Sequence, residues 1–230
     1  MGIFDLTFSR MQKIKMLFLI VAVSSLTGCA TSRSIIDIPS RVPQEAQVAA
    51  TVDGKVVYIA TVIDSRTFQE RPPSPNIPSL DPSEASSHAI RSRAIGRKRN
   101  TYGKALGDIL LKEGTTVESL TSSAIRRAFS ENGYMVLDNS SQVTPNVFVV
   151  NANIDQFWTW MNPGFWAITL SAEISTNLHI KQGAHEQHLI VQSKSSDRFQ
   201  TGAEGNYIQV IADALKLFTE ELKRKLKSLE

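Results

Sequence analysis

The chain has 230 residues, 42% hydrophobic and 20% charged, with 25 Lys+Arg against 22 Asp+Glu and one Cys. That is too apolar and too weakly charged for a disordered chain, and a formal charge of +3 is too small to point to nucleic acid. A single Cys excludes an internal disulfide and a Cys-based zinc site, and four His leave little room for a metal enzyme. No cofactor is expected.

The chain opens on an address. Lys13 and Lys15 form a basic region, and the apolar run from Met16 to Ser25 follows it. That run is too short to cross the ~30 Å hydrocarbon core as a helix. Leu26-Thr27-Gly28-Cys29 then sets an aliphatic residue and two small ones before the only Cys. This resembles the box of bacterial lipoproteins. The resemblance implies cleavage before Cys29, with Leu26, Thr27 and Gly28 read by the signal peptidase, and diacylglycerol on the Cys29 thiol. The alternative is an ordinary secretory signal with an incidental Cys. Ala30, where inner-membrane lipoproteins tend to carry Asp, implies the outer membrane, facing the periplasm. Met11 is a better start than Met1, because residues 1–10 lack the pattern and include Asp5. The expected organisation is a signal peptide over 1–28, a lipidated Cys and tether over 29–47, and one domain over 48–230.

Thr31 to Gln47 is polar, with Pro39 and Pro43 and no period, and reads as the tether. Val56 to Ile63 is a β-branched run of strand length. The segment 71–82 holds five prolines and reads as an irregular loop, continuing into a basic stretch to about 104. Ala105–Lys112 reads as a short helix. Thr115 and Glu118 read as a capping box for a helix with Val117, Leu120, Ala124, Ile125, Ala128 and Phe129 on one stripe, stopped at Gly133. Strands are expected over 134–137 and 147–154.

Residues 166–181 alternate most cleanly. Ile168, Leu170, Ala172, Ile174, Leu178 and Ile180 share one face, and polar residues the other. This is a long antiparallel strand with a wet side. It turns at Gly183-Ala184 and returns over 186–200. Gly205 to Glu230 closes the chain as an amphipathic helix with Ile208, Ile211, Leu215, Phe218 and Leu222 as its stripe. Two such helices on one face of a mostly antiparallel sheet make an α+β two-layer sandwich.

The lipobox Leu26-Thr-Gly-Cys-Ala30, Glu131-Asn-Gly-Tyr-Met-Val136, Ala172-Glu-Ile-Ser-Thr176 and the terminal helix together resemble the YajG-like family of bacterial lipoproteins. The resemblance covers roughly 115–225 and brings no catalytic residues with it.

Three clusters are candidate sites. Residues 91–104 hold six cations and no acid. Arg97, Lys98, Arg99 and Lys104 form the expected clamp for an anionic envelope component such as a lipid A phosphate, an anionic lipid or peptidoglycan; the other reading is a solvated loop. A P-loop fails here on Gly96–Gly103 spacing and on Ala105 after Lys104. Trp158, Trp160, Phe165 and Trp166 form the expected partner surface if they face out, or an end-plug of the core if they face in. The hairpin pairs His179 with His188. A shared metal there is the minor reading beside a wet hairpin tip, and no metal ligand is assigned.

Enzyme signatures are missing, and Asp64 and Asp155 read as turn acceptors. The expected protein is non-catalytic, anchored in the outer membrane by its acyl chains, and an accessory or scaffold for an envelope protein partner. The alternative is a binding module for an anionic lipid or glycan. Nucleic acid is excluded by the address.

Overall fold

The computed structural model describes residues 33–39 and 54–228. The signal segment, Leu26, Thr27, Gly28, Cys29 and most of the expected tether lie outside them. The described chain forms an α+β sandwich. Its eight strands are β1 (Ser34–Ile36), β2 (Val56–Asp64), β3 (Ala94–Arg99), β4 (Ala105–Leu111), β5 (Met135–Leu137), β6 (Phe148–Pro163), β7 (Ile168–Gln182) and β8 (His185–Phe199). The helices are a single turn α1 (His88–Arg91), then α2 (Val117–Glu131) and α3 (Glu204–Lys227).

The strand β6 organises the sheet. One of its edges pairs antiparallel with β7 along the whole length, and β7 pairs antiparallel with β8. Its other edge is shared. The first half runs parallel to β2, and the second meets β3 at Gly96↔Thr159. From there β3 pairs antiparallel with β4, β4 parallel with β1, and β2 parallel with β5. The period-2 pattern keeps one face of β7 in the core from Leu170 to Ile180, whereas β8 buries alternate residues only at Val191, Ser193 and Ser195.

Helices α2 and α3 lie on one face of this sheet. Between them and the strands sit Val150, Ile154, Leu170, Ile174 and Leu178, against Leu120, Ile125 and Phe129 of α2 and Val210, Phe218 and Leu222 of α3. Each such side chain contributes roughly 1.5–3 kcal/mol of burial. The buried stripe of α3 is Tyr207, Val210, Ile211, Ala214, Phe218, Leu222 and Leu226; Ile208 and Leu215 flank it, only partly buried.

Several local expectations are corrected. The cap of α2 sits one residue later than expected. Thr116 is extended (φ −126°, ψ 166°) and its Oγ1 accepts from the Ser119 amide at 3.2 Å, while the Ser119 hydroxyl accepts from the Thr116 amide at 3.0 Å. The reciprocal pair is therefore Thr116–Ser119, and Glu118 lies free of it in the first turn, where its charge suits the helix dipole. Thr116→Ala is expected to cost about 1 kcal/mol and Thr115→Ala less than about 0.5 kcal/mol, read from urea midpoints.

Ala105–Lys112 is the strand β4 rather than a helix. The Asn100 side chain accepts from the amides of Tyr102 (3.0 Å) and Lys104 (2.9 Å), and Gly103 takes φ 79°. Together they fold the basic stretch into the β3–β4 hairpin. Asp108 to Leu111 is buried on both faces, so it carries no alternation to read.

The tether is shorter than expected. Ser34–Ile36 joins the sheet on β4, Ile36 and Ile38 are 1% and 3% exposed, and the compact unit starts at Arg33 rather than at 48.

Candidate functional site

The second face of the sheet explains the aromatic and basic clusters. Residues 65–90 fold back across the second half of β6. Leu80, Ala94, Leu110, Trp158 and Trp160 make a small second core there, flanked by Phe68, Ala85 and Ile90. Trp158 is 1% exposed, and its indole N–H donates to the Pro75 carbonyl at 3.1 Å. Phe68 meets it edge-on at 6.0 Å. Trp160 is 5% exposed, with Lys194 above its ring. The Pro-rich loop is thus a lid held down by two indoles. Trp158 and Trp160 point the same way along the strand, as expected, but into this core, and neither offers a partner surface.

The other half of the aromatic cluster is in water. Phe165 and Trp166 occupy the β6–β7 turn at 89% and 84% exposure, their rings edge-to-face at 4.7 Å. Asn162-Pro163-Gly164 breaks the pattern just before them.

The expected anion clamp does not converge. Lys98 and Arg97 leave opposite faces of β3, and Lys98 is buried. Arg97 lies 3.3 Å from Asp108 and 4.0 Å from Asp81. Arg33 reaches Asp108 at 3.3 Å and also pairs with Glu84. Burial pushes the Asp108 carboxyl up, against the pull of Arg97 and Arg33. Arg99 donates to the Gly103 carbonyl and the Ser79 hydroxyl, both at 2.8 Å, and burial lowers its pKa. Lys104 alone of the four is exposed, at the turn. The cations act mainly as internal ties that hold the lid to the hairpin.

At the opposite end of the sheet the hairpin forms as read. Gly183 takes φ 58°, and His179 lies opposite His188 with parallel rings 4.5 Å apart. Glu186 joins them, 3.3 Å from His179 and 3.0 Å from Lys181. Ligand atoms of His179, Glu186 and His188 lie within 4.8 Å of one another. Lys181 and then His179 hold the Glu186 carboxyl below its usual range.

A polar groove of about 460 Å³ opens between the lid and the sheet, lined by Gln69, Asn76, Asp155, Gln156, Glu173 and Gln192 among others. Burial raises the Asp155 carboxyl, which accepts from the Asn177 amide. The Gln156 amide donates to the Asn76 carbonyl at 2.7 Å and so ties lid to sheet.

One residue that sequence reasoning did not single out sits at the branch of the sheet. Arg66 has no exposed side-chain surface and forms a two-pronged pair with Asp64 at 2.7 and 2.8 Å. Asp64 is thus an acceptor, as expected, and Arg66 is what it holds. The guanidinium also donates to the carbonyls of Ala94 (2.6 Å), Phe157 (2.8 Å) and Arg91 (2.8 Å).

No protein-family model matches the sequence, the YajG-like family included, and no curated protein sequence matches it. Solved structures show similarity at the level of fold. A crystal structure of an uncharacterized protein covers 85% of this chain and 99% of its own at 10% identity and a TM-score of 0.44. A hypothetical protein of Chlamydia trachomatis covers 76% and 96% at 10% identity and a TM-score of 0.37. The lipoprotein GNA1162 of Neisseria meningitidis covers 71% and 99% at 10% identity and a TM-score of 0.26. At these values the likenesses carry no functional argument. Among the described residues, no helix is long and apolar enough to cross a membrane.

Proposed function

We propose that this chain is a non-catalytic lipoprotein of the bacterial envelope, held in the outer membrane by acyl chains on Cys29. Its described domain serves as an accessory or scaffold module at the membrane surface. The observation that carries the reading is the sequence Leu26-Thr27-Gly28-Cys29, followed only four residues later by Arg33 and the first strand of a sheet. A domain joined so closely to a lipid needs no spanning helix, because two or more acyl chains anchor stably where one does not. Phe165 and Trp166 are the half of the aromatic cluster left at the surface; Trp158 and Trp160 are not available for contact. The ion pair with Asp108 takes Arg97 away from the anionic-ligand reading, and the hydrogen bonds to Gly103 and Ser79 take Arg99, so the scaffold reading is preferred.

Metabolic labelling with an alkyne-tagged fatty acid in a bacterial host tests the anchor. Wild type is expected to label, and Cys29→Ser to lose the label. An unlabelled wild type, or a labelled Cys29→Ser chain, contradicts it.

A further inference from the structure

Among the described residues, the three most exposed large hydrophobic side chains are Tyr102 (93%), Phe165 (89%) and Trp166 (84%). They come from two turns far apart in sequence, yet the topology brings those turns to one end of the sheet. Strand β3 runs parallel to β6 with Gly96 beside Thr159, so the β3–β4 turn at 100–104 and the β6–β7 turn at 164–167 lie at the same end. Adjacent strands are about 4.8 Å apart, which sets the two turns on the order of 10 Å from each other.

The chain also joins the domain from this end. β1 is parallel to β4, with Ser34 opposite Ile109, four residues into β4 from Ala105. At about 3.3 Å per residue, Ser34 therefore lies some 13 Å below the start of β4. Cys29 precedes Arg33 by four residues, a reach of at most about 14 Å even when fully extended. An acyl anchor at Cys29 can rise no further than about the tip of the β3–β4 turn.

We infer that this end of the sheet lies directly on a phospholipid bilayer, with Phe165, Trp166 and Tyr102 in the headgroup region and Lys104 beside the phosphates. The inference rests on the lipid-anchor reading. The short reach fixes how near the bilayer must be, and the exposed aromatics choose which end of the domain meets it. Trp and Tyr suit that boundary because their rings are apolar and their N–H or O–H remains hydrated. Phe165 supplies the purely apolar contact, and the Lys104 stem can lie along the surface with its ammonium among phosphates. The β7–β8 hairpin, with His179 and His188, then faces away from the membrane.

Tryptophan emission tests this directly. Trp158 and Trp160 are buried, so a quencher in the lipid reads Trp166. The full acylated chain, purified from host membranes, is reconstituted into phosphatidylethanolamine–phosphatidylglycerol vesicles with and without brominated acyl chains. Wild type is expected to float with the vesicles, lose emission to brominated lipid and resist acrylamide. Trp166→Phe is expected to float equally well and lose that quenchable component. A chain that floats while brominated lipid has no more effect on wild type than on Trp166→Phe overturns the bilayer contact and leaves the anchor standing. Trp166 that is shielded from acrylamide only when envelope proteins are added has a protein partner instead, which also overturns it. A chain that does not float overturns the anchor and this inference with it.

Discussion

Arg66→Ala is expected to lower the unfolding free energy by about 3–5 kcal/mol, the cost of removing one member of a buried ion pair. For a domain of this size that corresponds to a fall in Tm of roughly 6–20 °C. The cause lies in how the sheet is built. The outer edge of β6 passes from β2 to β3, and between the two the Phe157 carbonyl faces no strand neighbour. Arg66 takes that place. Its guanidinium neutralises Asp64, satisfies carbonyls of Ala94, Phe157 and Arg91, and lies 5.1 Å from the centre of the Phe68 ring. Removing it leaves a nearly buried carboxylate and three carbonyls without their donor. Arg66→Lys keeps the charge but loses the planar fork, so it is expected to recover only part of the loss. A Tm for Arg66→Ala within a degree or two of wild type would contradict the branch-point role.

Trp158→Ala is the second large effect, about 3–5 kcal/mol, because a large indole leaves a cavity under the lid. The Pro75 carbonyl loses its donor, and Phe68 loses its edge contact. The damage is expected to appear first in the lid. The Gln69 amide, which donates to the Pro78 carbonyl at 2.8 Å, should exchange faster with deuterium in the variant. Trp166→Ala, eight residues further on, is expected to change stability by less than about 0.5 kcal/mol, because its side chain is in water. Equal losses for the two variants would contradict the division of the aromatic cluster into a core half and a surface half.

That division was not legible in the sequence. Alternation placed Trp158 and Trp160 on one side of a strand, but which side was core depended on residues 65–90 returning over it, a contact made across more than seventy positions. The same non-locality hid Arg66, whose carbonyl partners lie 25 to 91 residues away. β1 was missed because it is three residues long, and β4 because it is buried on both faces near its end.

Where structure follows from local pattern, sequence and structure agree. The alternation at 168–180 marks β7, Gly183-Ala184 sets the register that pairs His179 with His188, and the apolar stripe at 117–129 marks α2. The basic segment shows the limit of counting charges. Six cations in fourteen residues suggest a ligand, yet folding pairs Arg97 with Asp108 and Asp81, sets Arg93 near Glu113, and turns Arg91 and Arg99 onto the Arg66 carbonyl and the Ser79 hydroxyl.

The most direct measurement is the intact mass of the chain purified from the membranes of a bacterial host. A lipid-anchored protein gives a chain beginning at Cys29 that carries diacylglycerol on its thiol. A chain that retains Met1 or Met11, or that begins beyond residue 28 without acyl mass, contradicts the anchor, and with it the placement of the aromatic turns on the bilayer.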